Sequence, residues 1–256
     1  MRSMFVSVAF AAPLMLLASA ATAQSSPNGS PDARPPVFRP PSKQLPPRAA
    51  PDMQAVLNGL AKLGARPINS LTPAQARAQP SPADAVAVVL RQGGMSSAPD
   101  PSVVTRELAY GPEAEQRVRI YTPAGRKRGL LPMLVYYHGG GWVIANLDVY
   151  DSTPRMLAKK LNAMVVSVEY RHAPEFKFPA QHDDAVTAYR YTLDNAAKWG
   201  GDARRLAFVG ESAGGNLAIN TALAARDKQL PMPRHIVSVY PIANTSTMLL
   251  SRRTAA

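Results

Sequence analysis

Four continuous apolar runs dominate the second half of the chain: Met133–Tyr137, Ala163–Val168, Leu206–Val209 and Ile236–Tyr240. None alternates with polar positions, and helical stretches near 150–162, 181–198 and 214–226 separate them. Runs of this kind predict a parallel sheet covered by helices on both faces. Upstream, Val103–Tyr110 and Gln116–Tyr121 predict two strands joined by a turn at Gly111-Pro112. The expected architecture is therefore α/β with six strands. Before it, Met53, Val56, Leu57, Leu60 and Leu63 recur at helical spacing, with Gly64 placed to end the helix. Thr72-Pro73 and Ser81-Pro82 each pair a capping residue with a first-turn proline, and Asp84 follows Ser81 at capping-box spacing. These short helices carry narrow apolar faces and need something larger to pack against. No internal repeat is visible.

The start of the chain follows a different logic. Residues 1–23 combine an early Arg2, an apolar run from Phe5 to Leu17 and a small-residue ending at Ala21-Thr22-Ala23. That build predicts a secretory signal peptide cleaved after Ala23, and hence a periplasmic or secreted protein with no stable membrane span once it is removed. Residues 24–51 are rich in proline and poor in large apolar residues. They read as an extended, disordered linker that cannot offset its ordering entropy by burial. The predicted organisation is thus signal peptide 1–23, linker 24–51, helical region 52–101, α/β core 102–244 and an atypical tail 245–256.

Composition narrows the function. The 256 residues include no cysteine, which excludes disulfides, thiolate metal sites and a cysteine nucleophile. The formal net charge is +12. Its positive residues are scattered, with short clusters only at Arg126-Lys127-Arg128, Arg204-Arg205 and Arg252-Arg253. No aromatics interleave with them, so a nucleic-acid partner is not expected.

Two glycine-rich motifs carry the chemistry. His138-Gly139-Gly140-Gly141-Trp142 directly follows the run Met133–Tyr137. Consecutive glycines let backbone amides approach a ligand without an intervening side chain, and such donors can hold the charge that develops on a carbonyl oxygen. Gly210-Glu211-Ser212-Ala213-Gly214 follows the run Leu206–Val209 and opens a helix. G-x-S-x-G in a strand–turn–helix context presents a serine hydroxyl at the end of a strand, beside amides at a helix N-terminus.

Together these stretches resemble the hormone-sensitive-lipase-type family of bacterial esterases within the α/β-hydrolase fold. The resemblance is carried by His138–Trp142, Tyr170–Glu175, Phe178-Pro179-Ala180 with Asp183-Asp184-Ala185, and Gly210–Asn216, and it runs from about residue 52 to Ala243. It implies that Ser212 is the nucleophile and that the amides of Gly139, Gly140 and Ala213 form the oxyanion hole. It also implies small carboxylic esters with short to medium acyl chains as substrates, no cofactor, and a small helical cap at 52–101. No metal ligand is assigned, and the oligomeric state stays open. Glu211 stands where the family often has Asp, a change expected to be tolerated. His138 is expected to order the glycine loop, and His172 to pack within its turn. His182 begins a helix and His235 falls at the far end of the sheet. None is assigned as the serine's base, because the fold's triad order is serine, acid, histidine.

That order exposes a departure. After Ser212 come 44 residues, whose only histidine is His235 and only acid Asp227. The family's acid and histidine follow two further strands, roughly 60–100 residues that this sequence does not contain. The expectation is an α/β-hydrolase sheet incomplete at its C-terminus through truncation or frameshift, with Ile236–Tyr240 left as an uncovered edge. The functional expectation is an impaired carboxylesterase. The alternatives are a non-catalytic ligand-binding remnant and an inert fragment.

Overall fold

The computed structural model describes residues 49–125 and 129–244. The signal peptide, most of the proline-rich linker, the cluster Arg126-Lys127-Arg128 and the tail 245–256 lie outside the described residues. The chain divides into two units, Met1–Ala55 and Val56–Ala256. Within the first, only the entry into helix α1 (Pro51–Lys62) is described.

The second unit opens with the rest of α1, a 3-10 turn at Ile68–Ser70, and helices α2 (Pro73–Ala78) and α3 (Pro82–Gln92). Both predicted caps form. The Ser81 hydroxyl accepts from the Asp84 amide, and the Asp84 carboxylate accepts from the Ser81 amide at 2.8 Å. Thr72 and Gln75 make the same reciprocal pair on α2. In this way the short helices satisfy amide donors that a helix N-terminus otherwise leaves open. Arg77 then ties α2 to two loops of the core. It donates to the carbonyls of Val143 (2.6 Å) and Ala173 (2.7 Å) and grips the Glu175 carboxylate with two bonds.

The core holds six strands: β1 (Val103–Ala109), β2 (Arg117–Pro123), β3 (Leu131–Tyr137), β4 (Met164–Val168), β5 (Gly201–Glu211) and β6 (His235–Val239). Their order across the sheet is β1-β2-β4-β3-β5-β6. The four strands that the continuous apolar runs predict, β4, β3, β5 and β6, are parallel to one another, as expected. Strand β2 pairs antiparallel with both β1 and β4, so the sheet is mixed. Among the described residues β6 is an edge strand, with Ile236 and Val237 exposed.

Helices cover both faces. Helix α4 (Ser152–Leu161) lies on one side, where Ala158 packs with Val103, Tyr121, Tyr136 and Val165. Helices α5 (Ala180–Trp199) and α6 (Ala213–Asp227) cover the other, where Ala185, Tyr189 and Leu217 meet Val135, Tyr137 and Phe208. Each large side chain so buried contributes about 1.5–3 kcal/mol. Among the described residues, no helix is long and apolar enough to cross a membrane.

The strand order fixes where a site can form. The chain leaves β3 to build β4 on one side, then crosses back to build β5 on the other. At such a switch point the loops beyond the carboxyl ends of the strands part and leave a crevice.

Candidate active site

Ser212 occupies the single residue between the end of β5 and the start of α6, with φ 55° and ψ −118°. A non-glycine residue is strained in that region and stays there only where its surroundings hold it. Here they do. The Ser212 amide donates to the Val239 carbonyl (2.9 Å), and the Ser212 carbonyl accepts from the Asn216 amide (3.1 Å). Gly214 lets the helix start press against β3. A Cβ added to it would meet the Tyr137 carbonyl oxygen in hard overlap and the His138 carbonyl oxygen at 2.5 Å. The first amides of α6, beginning with Ala213, have no partner within the helix and sit at the positive end of its dipole.

The glycine loop reaches the same place because β3 and β5 are parallel neighbours. Tyr137 registers with Gly210, so the two motifs leave adjacent strands at the same end, about 4.8 Å apart. Gly139 lies against the serine: a Cβ built on it would fall 3.5 Å from Ser212 Cβ and 2.8 Å from the Tyr150 hydroxyl. Gly140 has φ +113°, a conformation side chains disfavour, and its carbonyl accepts from the amides of Val143 and Ile144. Of the residues singled out in the sequence, Gly139 is thus brought against Ser212, with Ala213 next to the serine in the chain and Gly140 next in the loop.

Several partners of this site carry no motif of their own. The Glu211 carboxylate accepts from the hydroxyls of Tyr136 (2.8 Å) and Tyr240. Burial, then the neighbouring Glu211 charge, push the Tyr136 phenol well above its ordinary value. Burial first and Glu211 second likewise push Tyr150 up to about 12. Both phenols are therefore neutral at pH 7. A crevice of about 570 Å³ opens beside the loop, lined by Arg77, Gly140, Ile144, Tyr150, Glu169 and His172 among others.

The histidines are dispersed. His138 is fully buried, its Nδ1 2.7 Å from the Gly139 carbonyl oxygen and its ring stacked on Tyr170 at 4.5 Å. His172 packs edge-on against Tyr170, and burial drives its imidazole down to about 4, so it is neutral at pH 7. In the first turn of α5, His182 Nε2 lies 3.0 Å from Asn216 Oδ1. His235 pairs with Ala207, four residues before Glu211 and hence about 13 Å down the sheet. Among the described residues, no hydrogen bond joins the Ser212 hydroxyl to any of the four.

Known proteins resemble the chain in both sequence and fold. A family model described as the alpha/beta hydrolase fold matches residues 134–255, a range that runs on through the tail segment set apart above. The carboxylesterase NlhH of Mycobacterium tuberculosis is 44% identical over 129 residues, which cover 50% of this chain and 40% of that enzyme. The ethyl acetate hydrolase of Pseudomonas putida is 41% identical over 133 residues, covering 50% of this chain and 41% of that enzyme. Among solved structures, an alpha/beta hydrolase from the metagenome of Lake Arreo, Spain, superposes with a TM-score of 0.63 at 38% identity, covering 80% of this chain and 63% of the other. The chain therefore spans about 40% of the length of these curated relatives.

Proposed function

We propose that this chain, whose residues 134–255 match the alpha/beta hydrolase fold model, belongs to the hormone-sensitive-lipase-type branch of that fold, and that its site is built to hydrolyse small carboxylic esters through an acyl-enzyme. One observation carries the reading most: Gly139 packs against Ser212, and Ala213, the next residue, opens helix α6. In the proposed reaction Ser212 Oγ bonds to the ester carbonyl carbon and passes its proton to solvent water, from which the leaving alkoxide later recovers one. The amides of Gly139, Gly140 and Ala213 hold the oxyanion of the tetrahedral species. The C–O bond then breaks, the leaving alkoxide takes a proton, and water cleaves the acyl-enzyme to the acid and free Ser212. Short to medium acyl chains are proposed, in keeping with a relative named for ethyl acetate.

The same proposal includes its weakness. A serine with no imidazole bonded to it remains a protonated alcohol and a poor nucleophile. Oxyanion donors alone retain about 10³–10⁴-fold catalysis over water. Purified chain should therefore turn over p-nitrophenyl butyrate slowly, and Ser212→Ala should lower that turnover to what the oxyanion donors alone supply. Turnover unchanged by Ser212→Ala overturns the nucleophile assignment. Vigorous, Ser212-dependent turnover overturns the impairment. The unbonded serine also favours a second reading, a module that binds esters without cleaving them. Saturable binding of a non-hydrolysable ester analogue, with no turnover in either form, would select it; a chain with no compact state by circular dichroism and size exclusion would be an inert fragment instead.

We also propose that the chain is exported, on the basic-then-apolar pattern of residues 1–23. N-terminal sequencing of the protein from a bacterial periplasmic fraction should begin at Gln24. Uncleaved Met1 in the cytoplasm would reject this.

A further inference from the structure

His138 follows β3 and Glu169 follows β4, and these strands are parallel neighbours with Tyr137 registered on Val168. The register sets the two side chains together at the switch point, and the turn after β4 returns His172 to them. His138 Nε2 lies 3.4 Å from Glu169 Oε1, and His172 Nε2 lies 3.6 Å from that same oxygen. The three atoms all fall within 4.8 Å of one another. Each is buried, and none makes a hydrogen bond. His138 is completely enclosed, and the Glu169 side chain is 10% exposed.

The bonding of the remaining atoms says what these three can do. A carbonyl oxygen only accepts, so His138 Nδ1, 2.7 Å from the Gly139 oxygen, carries the ring hydrogen. In the neutral ring Nε2 is then a bare lone pair, and it faces a carboxylate oxygen. Two acceptors at that separation need a positive charge between them, a proton on Nε2 or a metal ion, and a second imidazole nitrogen beside the same oxygen favours the metal. Glu169 Oε2 is already held by the Leu147 amide at 2.8 Å, which turns Oε1 toward the imidazoles. Both His138 and Glu169 are thus oriented from behind, as outer-shell partners orient metal ligands.

We propose that His138 Nε2, His172 Nε2 and Glu169 Oε1 form a binding site for a divalent transition-metal ion, with Zn²⁺ the best match. Two imidazole nitrogens and one carboxylate oxygen are a recurrent zinc set. Bonds of 2.0–2.1 Å in a tetrahedral arrangement put ligand atoms about 3.3 Å apart, and two of the three separations here are 3.4 and 3.6 Å. Glu169 and His172 also line the crevice beside the glycine loop, which supplies an entry route and room for a water as fourth ligand. A bound ion would fasten the root of that loop to the end of β4. The inference stands apart from the esterase reading, since it requires nothing of Ser212.

The test is Co²⁺ titration of the full chain without an affinity tag, followed by visible absorption and then by Zn²⁺ competition. One equivalent should give a saturable band of tetrahedral intensity that Zn²⁺ abolishes. His172→Leu and Glu169→Gln should each weaken binding by at least about 100-fold, more than an outer-shell change produces. His235→Ala, at the exposed start of β6, should leave it unaltered. Zn²⁺ should also raise the thermal midpoint of the parent and of His235→Ala but not of His172→Leu, whose metal-free midpoint reports its folding. Absence of saturable binding, or binding that survives His172→Leu, or binding lost with His235→Ala, would overturn the proposal.

Discussion

Gly214→Ala is expected to cost at least about 3 kcal/mol of stability, as a single added methyl group in a fully packed place. The cost has a definite origin. The new Cβ would overlap the Tyr137 carbonyl oxygen and stand 2.5 Å from the His138 carbonyl oxygen. Both are backbone atoms of the β3 end, so no side chain can swing aside. Relief requires α6 to move off the sheet, and α6 carries Leu217 and Ala218 into the core. It would also carry Ala213 away from Gly139 and dismantle the proposed oxyanion hole. Gly141 is the matched control, since it has φ +62° and a Cβ added there would meet nothing within 4 Å. Gly141→Ala therefore meets only the left-handed backbone penalty, about 1–2 kcal/mol. Urea unfolding of the two variants measures the difference. Equal losses would show that the helix start is not wedged against β3.

This wedge was legible as G-x-S-x-G, and so was its pairing with the upstream glycines, because both motifs directly follow apolar runs. Strand cores were read well for the same reason: Met133–Tyr137 and Leu206–Val209 fall inside β3 and β5. Ends were harder. β5 begins at Gly201, where Gly201 and Asp202 pair with Leu131 and Pro132 across an irregularity that leaves no apolar signature. The caps at Thr72 and Ser81 were visible because their bonds are local, three residues apart. Contacts made by the sheet order were not. Glu169 meets His138 only because β4 lies beside β3, and the Tyr136–Glu211 bond exists only because β3 lies beside β5. A run of apolar residues does not name its neighbour. The sequence assigns His138 to ordering the glycine loop and His172 to packing within its turn, and the i, i+3 spacing of Glu169 and His172 is the one local hint of their cluster.

The Asp183-Asp184 pair tests how far such a contact can be read from chemistry once its neighbours are known. Asp184→Ala should destabilise the fold by about 3–5 kcal/mol, toward the lower end, because it removes the centre of a buried ionic clasp. Its side chain is 1% exposed. One carboxylate oxygen accepts from Gln116 Nε2 (2.7 Å) and the Arg171 guanidinium (2.8 Å), the other from the Arg171 amide and Nε, each at 2.9 Å. The clasp thereby joins α5 to the segment after β4 and to the turn between β1 and β2. Truncation leaves a guanidinium and an amide without their acceptor, and the uncompensated charge sets the cost rather than the lost attraction. Arg171 is 22% exposed at its side chain, so water can recover part of that loss. Asp184→Asn keeps the shape but turns a donor toward Arg171, and should fall between the parent and the alanine form. Asp183, exposed in the same first helical turn, contributes mainly through the helix dipole, so Asp183→Ala should cost under about 1 kcal/mol. Denaturant midpoints for the three variants check the order. If Asp184→Ala lost no more than Asp183→Ala, the buried pair would be a bystander, and the β1–β2 hairpin would be held to the core by other contacts, the bond from the Tyr110 hydroxyl to the Glu169 carbonyl first among them.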